Sequence, residues 1–217
     1  MRRFFVLTSR HRAPSTNLAL GLLLAFNAGA INAGGFLVLL QYTSHMTGFT
    51  SQLAVGLALG QGRLVLTALG ALLAFVAGAA ATAMLVNWGR QRRLDSIYAL
   101  PLLCEALLMF PFGLMGAITL GWQTPFTVPL TVLLLSFIMG LQNAVSSKAS
   151  GGRVRTTHMT GNVTDLGMEL GKLLYLNRSA VAHRPVRHDR AKLRLTGGLL
   201  VAFVLGGIAG ALGFTHL

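Results

Sequence analysis

Residues 18–40 read LALGLLLAFNAGAINAGGFLVLL, and no charged side chain interrupts them. A helix rising about 1.5 Å per residue needs roughly 20 such residues to cross a hydrocarbon layer about 30 Å thick. A surface helix of a soluble domain breaks its apolar run at every polar face; this run does not break. Residues 64–88 behave in the same way. The rest of the chain agrees with these two runs. Of its 217 residues, 53% are hydrophobic and 11% charged, with mean hydropathy +0.65. A soluble domain carries about 25% charged residues. The 26 glycines suit helices whose backbones approach closely in lipid. The chain reads as an all-α integral membrane protein.

The net charge of +13 would point to nucleic acid in a soluble protein. Here the basic residues sit in short clusters between apolar runs, as cytoplasmic loops do, so no nucleic-acid partner is expected. Arg2, Arg3, Arg10 and Arg12 precede the first run, and Ala28-Gly29-Ala30 resembles a signal-peptidase site. The run continues ten residues beyond Ala30, so the segment is expected to stay as a span. Cys104 stands alone in an apolar run, which rules out a disulfide framework and a cysteine metal site.

Five strong spans are expected, at about 17–41, 64–88, 97–120, 126–147 and 195–215. Two weaker segments, 43–60 and 156–174, open with nearly the same words. Thr43-Ser44-His45-Met46-Thr47-Gly48 is matched by Thr156-Thr157-His158-Met159-Thr160-Gly161. Flanking words repeat too. Gly29-Ala30-Ile31-Asn32-Ala33 matches Gly140-Leu141-Gln142-Asn143-Ala144, and Ala74-Phe75-Val76-Ala77-Gly78 matches Ala202-Phe203-Val204-Leu205-Gly206. Three ordered matches indicate an internal duplication. If neither weak segment crosses and the N-terminus is cytoplasmic, all of the 18 Lys and Arg residues except Arg63 lie inside. If both cross, a third of them lie outside. The first arrangement obeys the positive-inside rule.

The expected architecture is therefore a helical bundle of about five full spans plus two short re-entrant or broken helices, arranged as an internal inverted repeat. It divides into a basic cytoplasmic N-terminus (1–16), a first membrane repeat with three spans (17–120) and a second with two (121–217). Transporters built this way hold their sites near the midplane on broken helices.

The candidate path residues follow from that geometry. His45 and His158 occupy equivalent places at the two breaks, where an imidazole either contacts solute and titrates near neutral pH or bonds to backbone. Thr47, Gly48, Thr160 and Gly161 are expected to start and cap the half-helices, whose free N–H groups attract anions. Asn162 follows them in the second break. Asn32, Gln142 and Asn143 lie inside spans, lining a path or joining helices by hydrogen bonds. Glu105 is an acid well inside a strong span, where carboxylates are costly and face the bundle interior. Asp165 and Glu169 share one helix face at the cytoplasmic mouth, drawing a cation or pairing with Arg153, Arg155 or Lys172. His183 and His188 are too far from other ligand types to make a metal site. No GxSxG, HExxH, Walker loop or GxGxxG-plus-acid pattern is present, so no catalytic residue and no cofactor is expected.

At these residues the chain resembles the YoaK-like family of bacterial integral membrane proteins, a family of unknown function. The resemblance runs from about residue 17 to the end. It rests on His45-Met46-Thr47-Gly48, on Met139-Gly140-Leu141-Gln142-Asn143-Ala144, and on Arg153-Val154-Arg155-Thr156-Thr157 with Thr160-Gly161 and Thr164-Asp165-Leu166-Gly167. Family members often carry aspartate where this chain has Asn32. The family pattern also implies a further span after the one ending near Leu217, the counterpart of 97–120. The resemblance implies residence in the bacterial inner membrane and names no substrate. Two functions are expected from the residues: a small-solute transporter or channel with its site between the repeats, or a non-transporting scaffold. The lipid bilayer, a small molecule or ion, and a second copy of the chain are the expected partners.

Overall fold

The computed structural model describes residues 7–9, 13–119, 127–175 and 186–215. Arg2, Arg3, Arg10, Arg12, Arg178 and His183 lie outside the described residues. Seven long helices and no strand occur among those described: α1 (Pro14–Leu39), α2 (Met46–Ala58), α3 (Gly62–Gln91), α4 (Ala99–Thr119), α5 (Thr127–Ser150), α6 (Met159–Leu174) and α7 (Arg190–Thr215). Four of them, α1, α3, α5 and α7, are long and apolar enough to cross a membrane, and α4 is apolar over Ala99–Phe112.

Local chemistry sets the ends. Pro14 opens α1, where its missing N–H would lack a partner anyway. Leu40 then turns left-handed at φ 53° and returns its N–H to the Phe36 carbonyl at 2.8 Å. Gly151 and Gly152, at φ 63° and 81°, end α5, a conformation nearly free of penalty only for glycine. The Asp189 Oδ1 accepts the N–H groups of Ala191 and Lys192 and caps α7. That cap starts α7 at Arg190, earlier than the apolar pattern alone indicated, so Arg190, Lys192 and Arg194 belong to a helix and not to a loop.

Two helix pairs form the frame, α1 with α7 and α3 with α5. Each pair crosses at glycine. A Cβ at Gly206 would overlap the Phe26 carbonyl, and one at Gly29 would overlap the Phe203 carbonyl. In the other pair Gly78 meets the Phe137 carbonyl and Gly140 meets the Phe75 carbonyl. Each of the four helices thus carries phenylalanine three residues before glycine. Lipid supplies no hydrophobic drive between helices, so close van der Waals approach and backbone contact hold the pairs. A core of Ile31, Phe49, Val132, Leu135, Ile138 and Met139 then joins α1, α2 and α5. The outer surface is apolar: Leu66, Met84, Phe110, Val204 and Leu212 are all exposed. Such a surface would aggregate in water and is what a bilayer solvates.

Candidate functional site

The two broken segments are built alike. Ser44 lies beyond the end of α1, yet its hydroxyl donates to Asn32 Oδ1 at 2.9 Å. Asn32 is seven residues before Leu39, about 10 Å down the helix axis. The chain therefore folds back along α1 before α2 begins. In the second half the Thr157 hydroxyl donates to Asn143 Oδ1 at 2.8 Å, again seven residues before the end of α5. Asn143 also donates to the Met139 carbonyl at 2.8 Å, which fixes the orientation of its amide. Thr43 and Thr156, one residue earlier in each loop, are fully buried, and their hydroxyl oxygens have no hydrogen-bond partner.

The helix starts differ from the sequence expectation. The N-cap positions are His45 and His158, neither of which makes a side-chain cap bond. Thr47, Gly48, Thr160 and Gly161 already lie within the first turn, because the helices begin at Met46 and Met159. Each histidine ring folds over the glycine three residues on, Gly48 or Gly161. Both histidines and both threonines are exposed at the outside of the bundle. Asn162 is buried and donates to the Arg155 carbonyl at 3.1 Å, closing the second break onto its own loop.

Asp165 and Glu169 tie α6 to the start of α7. Asp165 pairs with Lys192 at 2.9 Å, a partner not foreseen from sequence. Glu169 is buried, takes the Lys172 ammonium at 2.8 Å and accepts the Asp189 backbone N–H at 2.7 Å. The Lys172 hydrogen bond and then the Asp189 N–H hold its carboxyl below the ordinary carboxylate range.

The remaining candidates meet on α1. Gln142 is fully buried on α5 and donates to the Leu24 carbonyl at 2.7 Å. Glu105 on α4 accepts from Asn27 Nδ2 at 2.9 Å. Asn27 and Leu24 were not singled out by sequence. An asparagine with no charge and no repeat partner gives no local signal.

At the other end of the bundle a cleft of about 620 Å³ opens between the start of α3, the start of α5 and Gln41. Gln61, Arg63 and Thr67 line it against Pro129 and Val132. A smaller hollow of about 190 Å³ adjoins it through Gln41 and reaches His45, Phe49 and Gln52. The structure thus brings His45 to the smaller hollow, and it gathers the candidates into three places, not one. Among the described residues no group of three or more His, Cys, Asp or Glu side chains is arranged to hold a metal.

Long apolar helices, lipid-facing exteriors and glycine crossings define a helical membrane protein. The chain matches, over residues 20–216, the family described as a protein of unknown function, DUF1275, and it belongs to that family. It is 25% identical over 159 residues to the UPF0700 transmembrane protein YoaK of Bacillus subtilis (strain 168), an alignment covering 72% of this chain and 68% of that protein. No solved structure matches it.

Proposed function

We propose that the chain is a small-solute transporter of the bacterial inner membrane. In this reading 17–120 and 121–217 form inverted repeats, five helices span, α2 and α6 are re-entrant, and the N-terminus is cytoplasmic. The solute passes between the repeats without covalent chemistry.

One observation carries the reading. The repeated words place Val154 opposite Gln41 and Gly21 opposite Val132. Around Gln41 and Val132 there is an open cleft. Val154 and Gly21 are packed together: a Cβ on Gly21 would stand 2.6 Å from Val154 Cγ1 and 3.5 Å from Leu199 Cδ2. Equivalent segments are thus open on one face and packed on the other. That is the asymmetry an alternating-access protein has in a single state. The Asp165–Lys192 pair lies on the closed side. Paired phenylalanine–glycine crossings, α1 on α7 and α3 on α5, support the two-fold relation between halves.

A scaffold role draws on a different fact. Asn32 and Asn143 are engaged by Ser44 and Thr157 within the protein, as bundle-joining residues are.

The test is uptake from a mixture of small polar metabolites into proteoliposomes, read by mass spectrometry. A short bifunctional maleimide cross-link between Asp165→Cys and Lys192→Cys, in a Cys104→Ser background, should abolish uptake of whatever accumulates. No accumulation above empty vesicles would favour the scaffold.

A further inference from the structure

Glu105 does not belong to either repeated break, yet it is an acid within the apolar stretch of α4. It is buried at 3% exposure, while Leu103, Cys104 and Leu107 around it face outward. One oxygen is bonded to Asn27, and the other, Oε2, is buried with no hydrogen-bond partner among the described residues. The register of α4 on α5 points to Gln142 as its neighbour. Tyr98, immediately before α4, donates its hydroxyl to the Lys148 carbonyl on α5 at 3.1 Å. The two helices run antiparallel, so the seven residues from Tyr98 to Glu105 descend to the level of residue 141. Gln142 and Glu105 also reach α1 at positions three apart, Leu24 and Asn27, which neighbour each other on one face. The carbonyl oxygen of the Gln142 amide is a second buried acceptor without a partner.

Among the described residues no fixed cation serves this site. α1 has no titratable side chain at all. On α5 the single charged residue is Lys148, whose ammonium is bonded to Asn87 Oδ1 at 3.1 Å. α3 carries Arg63 and Arg90 at its two ends, and α4 carries only Cys104 besides Glu105. A buried carboxylate without a paired cation is strongly disfavoured, so its charge must be met from outside the protein.

We propose that Glu105 and Gln142 form a binding site for one small monovalent cation, the proton included. The proposal rests on the transport reading only for its use, as the coupling ion. Carboxylate and amide oxygens are hard ligands suited to a proton or an alkali ion, and the site excludes anions. Asn27 positions Glu105 by donating to Oε1, leaving Oε2 to take the ion.

The chain has only two glutamates, Glu105 and Glu169. Full-length protein in lipid nanodiscs, labelled with 13C at the glutamate δ carbon, gives two carboxyl signals, and Glu169→Gln identifies one of them. The Glu105 signal is followed with pH in choline chloride and in sodium chloride. A midpoint lowered by about one pH unit in sodium, a tenfold competition, would assign an alkali ion. A midpoint equal in both salts would assign the proton. Gln142→Met should weaken the sodium effect in the first case and shift the midpoint in the second. A Glu105 signal that stays constant from about pH 3 to pH 10 in both salts, a window that extends beyond the ordinary carboxylate range on both sides, would overturn the proposal. Uptake assays are read separately, so a titrating Glu105 in a protein that carries no solute refutes transport and leaves the ion site standing.

Discussion

Gly206 sits beneath the Phe26 carbonyl so closely that no side chain fits between the two backbones. The same relation holds for Gly78 beneath Phe137. Both contacts join helices that are far apart in sequence, and both depend on a single missing carbon. In lipid, where apolar surface gains nothing by meeting other apolar surface, this closeness is the main source of attraction.

Gly206→Ala should therefore destabilise the protein by about 1–3 kcal/mol through overpacking against backbone that cannot move aside. Gly213, also in α7, has nothing within 4 Å of its Cβ position. Gly213→Ala should leave stability unchanged or raise it by about 0.5–1 kcal/mol, since a helix prefers alanine. Thermal unfolding in one detergent compares the two. Equal effects would refute the crossing argument.

The Asn32–Ser44 bond should register as a coupling. Ser44→Ala and Asn32→Ala each remove one partner, and a double-mutant cycle should return about 1 kcal/mol of interaction. The Asn143–Thr157 cycle should give a similar value, because the bond lengths and positions match. Additive effects in both cycles would mean that neither bond fixes its loop.

Acid should loosen the α6–α7 junction. The Glu169 carboxyl titrates below its unfolded value because Lys172 and the Asp189 N–H favour the charged form. Its contribution is present at neutral pH and is lost as pH falls through the ordinary carboxylate range into the lowered one. Proteolysis between α6 and α7 should accelerate over that window, and Glu169→Gln should be fast at neutral pH already. A pH-independent cleavage rate in the native chain would contradict this.

Access should differ between equivalent positions. In a Cys104→Ser background, Gln41→Cys lines the open cleft and Val154→Cys is buried against its neighbours. An impermeant maleimide should label Gln41→Cys from one face of the membrane and leave Val154→Cys unlabelled from either. Labelling of Val154→Cys at a comparable rate would remove the asymmetry on which the transport reading stands.

The sequence by itself determined which stretches become long apolar helices and which two segments open with matching words. Hydropathy is summed over neighbours in the chain, so the apolar run at 17–41 marks α1 and that at 64–88 marks α3 to within a few residues. The words around His45 and His158 mark the breaks because the serine or threonine, histidine and glycine recur in the same order. Sequence also singled out Glu105 as an acid within an apolar run, but not Asn27 as its partner. Only the tertiary structure decided who meets whom. Asp165 finds Lys192, Gln142 finds the Leu24 carbonyl, and Val154 closes over Gly21 while Gln41 borders a cleft. The reason is physical. Whether a stretch enters lipid depends on the transfer energies of its own residues, added locally. A contact between helices depends on how closely two distant backbones approach, and that is fixed jointly by glycines such as Gly29 and Gly206 on both.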